Sequence, residues 1–178
     1  MLPVDVLYLP ELPAHDATIE MINDEAFGPG RFAKAAYRIR EGGPHERDLS
    51  FVAERNGEII ASVRLTRIVA GQGLGLLLGP LAVRPAHKNL GIGRKLVGIA
   101  LQAAERAGWG VVVLVGDEPY YGPLGFSKVP RGQIVMPRPV DANRLLAHEI
   151  KAGSLAQLVG MVSHADQAGP AKALDQAR

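Results

Sequence analysis

Residues 88–95 run Lys88-Asn89-Leu90-Gly91-Ile92-Gly93-Arg94-Lys95, a glycine-bearing turn that leads straight into an amphipathic stretch. A chain that turns into a helix start leaves several backbone N–H groups unpaired, and the helix dipole puts partial positive charge on them. Lys88, Arg94 and Lys95 add full charges. Gly91 and Gly93 let the backbone close on an oxyanion with no side chain in between. The segment is built as an anion site. An ATP P-loop is excluded, because that pattern needs Gly-Lys followed by Ser or Thr, and Gly93 is followed by Arg94-Lys95-Leu96. The dinucleotide pattern fails as well, with Leu96 at the place of its third glycine. The upstream run Gly71-Gln72-Gly73-Leu74-Gly75 opens no helix and reads as a turn.

Other chemistry drops out by residue type. The chain contains 0 Cys, so it has no disulfide, thiolate zinc site, iron–sulfur ligation or cysteine nucleophile. His45-Glu46 and His148-Glu149 begin like zinc-protease motifs, but no second His falls three residues after either Glu. No Ser sits in a Gly-x-Ser-x-Gly elbow, and no metal is expected. A balance of 20 Lys+Arg against 18 Asp+Glu, with 5% aromatic residues, argues against a nucleic-acid groove. The longest uncharged run, Ile68 to Val83, is broken by four glycines and Pro80 and is too short to span a bilayer. Met1 to Asp16 carries Asp5 and Glu11 and no basic segment ahead of an apolar one, so no signal peptide is expected and the cytoplasm is the default location.

The elements that must hold the anion site follow from periodicity. Asp16 with Ile19, Ile22 and Ala26 predicts a helix stopped at Gly28-Pro29. A second helix is expected over Arg31–Glu41, with Arg31, Lys34 and Arg38 as a basic face that is either solvated or one wall of a site for an acidic substrate. Leu49–Arg55 and Glu58–Val69 flank Asn56-Gly57 and predict a hairpin. Leu76–Val83 is a strand in which Pro80 must produce a bulge or a lost pairing. The helix Arg94–Ala107, stopped by Gly108, leads to Val111–Val115, an apolar run that reads as a strand buried on both faces. Strand, helix and strand form one β-α-β unit, so the two strands are expected to be parallel. At least one more strand pair is expected around Ala152-Gly153.

With that order in place, the strand end Leu81-Ala82-Val83-Arg84-Pro85 and the turn Lys88 to Gly93 together resemble the acetyl-CoA signature of the GNAT-type N-acetyltransferase superfamily. The segment Gly116-Asp117-Glu118-Pro119-Tyr120-Tyr121 up to Gly125-Phe126 looks like that of a compact bacterial branch of the superfamily. The resemblance covers roughly residues 15 to 135. It implies an α+β, GNAT-like acyltransferase fold: a mixed, mainly antiparallel twisted sheet with one splayed parallel pair and helices on both faces. It implies acetyl-CoA as co-substrate and acetyl transfer to a primary amine, on a small molecule, by direct attack in a ternary complex. Leu81, Ala82 and Val83 would pair with the pantetheine arm. Lys88, Asn89, Leu90, Gly91, Ile92, Gly93 and Arg94 would hold the pyrophosphate. Tyr121 would face the sulfur as the acid, with Tyr120 the alternative. A non-catalytic acyl-CoA-binding or sensing domain would use the same cleft.

The general base stays open among Glu25, Glu54, Asp117 and Glu118. A single domain over residues 1–165 is expected, followed by a frayed tail over 166–178. The strands from Leu145 onward are a possible homodimer surface, and neither a membrane nor a nucleic acid is expected as a partner.

Overall fold

The computed structural model describes residues 5–167, so most of the expected tail lies outside the described residues. In chain order the elements are β1 (Leu7–Pro10), α1 (Asp16–Phe27), α2 (Ala35–Arg40), β2 (Phe51–Arg55), β3 (Glu58–Ala70), β4 (Gly73–Val83), α3 (Ile92–Arg106), β5 (Val111–Val115), α4 (Glu118–Tyr121), β6 (Ser127–Lys128), β7 (Ile134–Val135), β8 (Leu145–Glu149), α5 (Ser154–Gln157) and β9 (Gly160–His164). The sheet runs β1-β2-β3-β4-β5-β8-β6, with β9 on β3 and β7 on β9.

The β2–β3 hairpin turns at Asn56 and Gly57, whose φ of 54° and 77° are the left-handed values that such a two-residue turn requires. β3 and β4 then form a long antiparallel pair with one interruption. Val63 faces Leu81 and Leu65 faces Leu78, so Gly79 and Pro80 bulge opposite Arg64. Proline cannot donate to the ladder, and the bulge falls where that donor is missing. β4 and β5 are parallel but pair only at Leu76–Val112 and Leu77–Val113. From Leu78 onward the two strands part.

Alternation along β5 explains its unbroken apolar run. Val112 and Leu114 enter a core with Leu65, Leu76, Leu78 and the α3 residues Ile92, Leu96, Val97, Ala100 and Ala104. Val111 and Val113 point to the opposite face, among Ile39, Ile68, Leu77, Val129 and Leu158. A third cluster seats Ile19 and Ile22 of α1 on Val52, Ile59 and Ala82. Helices therefore cover both faces of the sheet, as the family resemblance implies.

Two expectations need correction, and one strand was not foreseen. The second helix does not begin at Arg31: residues 29–33 form a 3-10 turn, and Lys34 is extended at φ −75° and ψ 148°. The 3.6-residue spacing that would align Arg31, Lys34 and Arg38 is broken there. The two late strands do not pair with each other. β8 runs between β5 and β6, while β9 joins β3 at Ile68–Ala70. β3 has 13 residues and β2 only 5, so the pairing of β3 with β2 stops at Val63 and leaves an open ladder that β9 fills at Ile68–Ala70. Finally, β1 pairs with β2 from Leu7–Glu54 to Pro10–Phe51, a strand that the proline-flanked start of the chain did not announce.

Candidate active site

The parting of β4 and β5 opens a cleft of about 1310 Å³. Its walls include Leu78 to Val83 on β4, Leu114 to Asp117 at the end of β5, and Lys88 to Arg94 at the start of α3. Among the described residues no strand lies on the β5-facing edge of β4 beyond Leu77. Backbone groups of Leu78 to Val83 are therefore available to a bound extended chain.

At one end of this edge the turn into α3 has the geometry expected of an anion cradle. Asn89 and Gly91 both have positive φ, 63° and 79°, which folds successive N–H groups toward one concavity. Gly91 is the N-cap of α3, and no side chain caps it. The N–H groups of the first turn have no partner among the described residues, and no acidic residue stands in that turn. At Gly93 a Cβ would lie 2.5 Å from the Tyr120 hydroxyl, so a larger residue would displace the tyrosine. Lys88, Asn89, Gly91, Ile92, Gly93 and Arg94 line the cleft together with Leu81, Ala82 and Val83. Leu90 is 60% exposed and its side chain takes no part in the lining.

Both tyrosines of the short α4 turn reach the cleft, at different places. Tyr120 leans toward α3, with the Arg94 guanidinium 5.0 Å from its ring centroid. Tyr121 packs edge-on against Phe126 at 5.8 Å and against Tyr120 at 4.8 Å, and its ring covers Gly116 at the end of β5. Burial, then the neighbouring Tyr120 and Asp117, push the Tyr121 phenol up to about 12. It stays protonated throughout the neutral range.

The carboxylates read as candidate bases are not gathered here. Glu25, Glu54 and Glu118 do not line the cleft, and Glu118 pairs with Lys128 at 3.2 Å. Asp117 does line it but accepts from Arg144 at 3.1 Å. The basic face is also dispersed. Arg31 is 7% exposed and pairs with Glu20 and Asp24 at 2.5 and 2.6 Å. Arg38 bonds Glu41 and does not line the cleft, so of these three only Lys34 lines it without an acid partner among the described residues.

What sequence reasoning missed is a polar network at the other end of the cleft. Glu11, with its side chain 0% exposed, holds His45 Nε2 at 2.5 Å and Arg64 Nε at 2.5 Å. Arg47 reaches the same carboxylate at 3.1 Å. Burial alone would raise the Glu11 carboxyl, but the hydrogen bonds from His45 and Arg64 outweigh it and hold the group below its ordinary value. His45 and Arg64 line the cleft, as do Tyr37 and Arg40 of α2. Glu11 and His45 lie 34 positions apart, and no local pattern could have linked them.

Residues 16–125 match the model of the acetyltransferase (GNAT) family. This chain belongs to that family. Membership places it among the acyltransferases, in agreement with the resemblance of its motifs. It is 26% identical over 157 residues to YhbS of Escherichia coli K12, described as an uncharacterized N-acetyltransferase, covering 86% of this chain and 93% of the relative. The crystal structure of YhbS in complex with CoA superposes with a TM-score of 0.76 at 23% identity, over 92% of both chains. A GNAT-family acetyltransferase from Brucella melitensis, crystallised with acetyl-CoA, gives a TM-score of 0.58 at 23% identity, over 81% of this chain and 96% of that one. These likenesses establish the fold: a mixed, mainly antiparallel sheet parted at a parallel pair. Among the described residues no cluster of metal-ligating side chains occurs, and no helix is long and apolar enough to cross a membrane.

Proposed function

We propose that this chain transfers the acetyl group of acetyl-CoA to the primary amine of a small molecule by direct attack in a ternary complex. The observation that carries this reading is the continuity of one cleft. It joins an uncapped helix start with two left-handed turn residues, an unpaired strand edge and a buried phenol. The N–H groups from Lys88 to Gly93, with Arg94, hold the pyrophosphate. The free edge at Leu81 to Val83 pairs with the pantetheine arm, which brings the thioester toward the Gly79-Pro80 bulge. That CoA and acetyl-CoA occupy two structures of the same fold supports the choice of co-substrate.

The amine attacks the thioester carbonyl, a C–N bond forms, and the C–S bond breaks. A backbone N–H of β4 stabilises the oxyanion of the tetrahedral intermediate. Tyr121 faces the departing sulfur. Full proton transfer from a phenol near 12 to a thiolate of ordinary pKa about 8.5 runs uphill by roughly 5 kcal/mol. Tyr121 therefore acts by donating a hydrogen bond to sulfur as charge develops there, and a proton released by the amine neutralises the thiolate. His45 accepts the proton that the ammonium must lose before it can attack, separate from the one that passes to the thiolate as the C–N bond forms. Its Nε2–H donates to Glu11, a carboxylate that can only accept, which leaves Nδ1 as the basic atom of the ring.

Direct transfer is tested by initial rates at varied acetyl-CoA and amine. Intersecting double-reciprocal lines are expected. Parallel lines, the signature of a covalent acyl-enzyme, would overturn the ternary-complex route.

A further inference from the structure

One guanidinium of the cleft, that of Arg40, has neither an acid partner among the described residues nor a place in the phosphate cradle. Arg31 is committed to Glu20 and Asp24, Arg64 to Glu11 and Asp16, and Arg144 to Asp117. Arg94 belongs to the phosphate cradle. Arg40, at the C-terminal end of α2, has no acid within ion-pair distance among the described residues, and its Nε is buried with no hydrogen-bond partner. Its Nη2 lies 2.5 Å from where a Cβ on Gly79 would stand, so the guanidinium rests on the bulge. Two other buried atoms of the cleft lining are also unpartnered, Nδ1 of His87 ahead of the phosphate turn and Oγ1 of Thr66, a residue only 1% exposed on β3. Burial and the nearby Arg64 lower the Arg40 guanidinium to about 10, which leaves it cationic at neutral pH. Buried polar groups without partners are costly and rare, and in a cleft lining a bound group can supply the missing partner.

The phosphates of CoA do not supply it. Along β4 their cradle follows Val83, whereas Arg40 sits at Gly79, beyond the thioester. The site is also modest in charge, with one free guanidinium and one hydroxyl, and Arg64 is already neutralised by two acids. That inventory matches a monoanion with two acceptor oxygens better than a dianionic phosphate.

We infer that Arg40 and Thr66 form a carboxylate subsite at the acyl end of the cleft, so that the amine or the acyl group carries a carboxylate beside the reacting carbon. The inference rests on the acyl-transfer reading above. It replaces the basic face of Arg31, Lys34 and Arg38 with a residue that sequence periodicity did not single out.

The test is a ligand-detected NMR titration of the CoA-saturated chain with two probes, N-acetylglycine and N-methylacetamide, which share the amide and differ by the carboxylate. Binding of N-acetylglycine at least tenfold tighter, with the preference abolished in Arg40→Gln and CoA affinity unchanged, supports the subsite and assigns the carboxylate to the acceptor. A parallel arm compares succinyl-CoA with acetyl-CoA. A tenfold loss in Arg40→Gln for succinyl-CoA alone supports the subsite and assigns the carboxylate to the acyl group. Equal affinities of wild type and Arg40→Gln for both carboxylate ligands would overturn it. Thr66→Val, which keeps shape and removes the hydroxyl, gives the same readout should Arg40→Gln not fold. Neither arm needs turnover, so the two readings fail separately. A chain that prefers carboxylates through Arg40 yet acetylates no amine keeps the subsite and loses the transferase. One that acetylates amines with no carboxylate preference in either arm keeps the transferase and loses the subsite.

Discussion

At the scale of single residues the account separates two proton roles. The Tyr121 phenol is held near 12 by burial and its neighbours, so it loses no protons across the usual assay range and contributes no limb to the pH profile below about pH 10. Tyr121→Phe should lower kcat by about 10²-fold at every pH in that range, leaving the profile's shape unchanged. His45→Gln, which removes the atom proposed to take the amine's proton, should lower kcat/KM by about 10²-fold, and by less at higher pH, where more of the amine is already free. Measuring both variants over pH 6–9.5 checks the assignment. Identical distortions of the profile in the two would refute it. Tyr121 was legible because its motif is local. His45 was not, because the carboxylate that orients it arrives from the end of β1.

At the scale of elements, α3 carries the binding claim. Its N-terminus is left uncapped and aimed at the cleft, and its cradle needs a left-handed residue at Gly91. Nothing lies within 4 Å of a Cβ built there, so a side chain would fit sterically but would strain the backbone and fill the space of the guest. Gly91→Glu adds a negative charge at the positive end of the helix dipole. It should weaken CoA binding by about tenfold or more in calorimetry, with a small change in thermal stability. Unchanged affinity would mean that the phosphates bind elsewhere. This element was readable in advance, since turn, glycines and amphipathic helix are contiguous. The bulge was readable for the same reason, from a single proline in an apolar strand. The destination of β9 was not, because it depends on β3 outrunning β2, a fact about strand lengths in three dimensions.

At the scale of the whole molecule, Glu11 fastens the N-terminal strand to the cleft. Its partners stand 34, 36 and 53 positions away, at His45, Arg47 and Arg64. Glu11→Gln would leave the charges of Arg47 and Arg64 short of a partner, at a cost of about 2–3 kcal/mol, less than for an isolated buried pair because Asp16 also serves both arginines. The sign with pH follows from the lowered folded-state value of Glu11. Its stabilising contribution is complete above the ordinary value of 4.5 and is lost as pH falls through the folded value. Urea unfolding should show a full gap between wild type and Glu11→Gln from pH 7 to about pH 5, narrowing as pH is lowered further toward 3.5. A constant gap would show that the carboxylate's charge is not what holds the network. The hairpin, the β-α-β unit and the two-sided burial of β5 could be read from short-range pattern alone. The contacts that shape the acceptor end of the cleft are made by residues from β1, α2 and β3, and only the assembled chain brings them together.

The central claim is that one cleft both holds acetyl-CoA and passes its acetyl group to an amine, without any thiol of the protein's own. The most direct test incubates the chain with acetyl-CoA and a panel of primary amines, with and without carboxylates, and quantifies free CoA thiol and acetylated amine by mass spectrometry. The account predicts equal molar amounts of the two products and no acetylated protein intermediate. Thiol release without acetylated amine, or no release above the buffer rate for any amine in the panel, would contradict it.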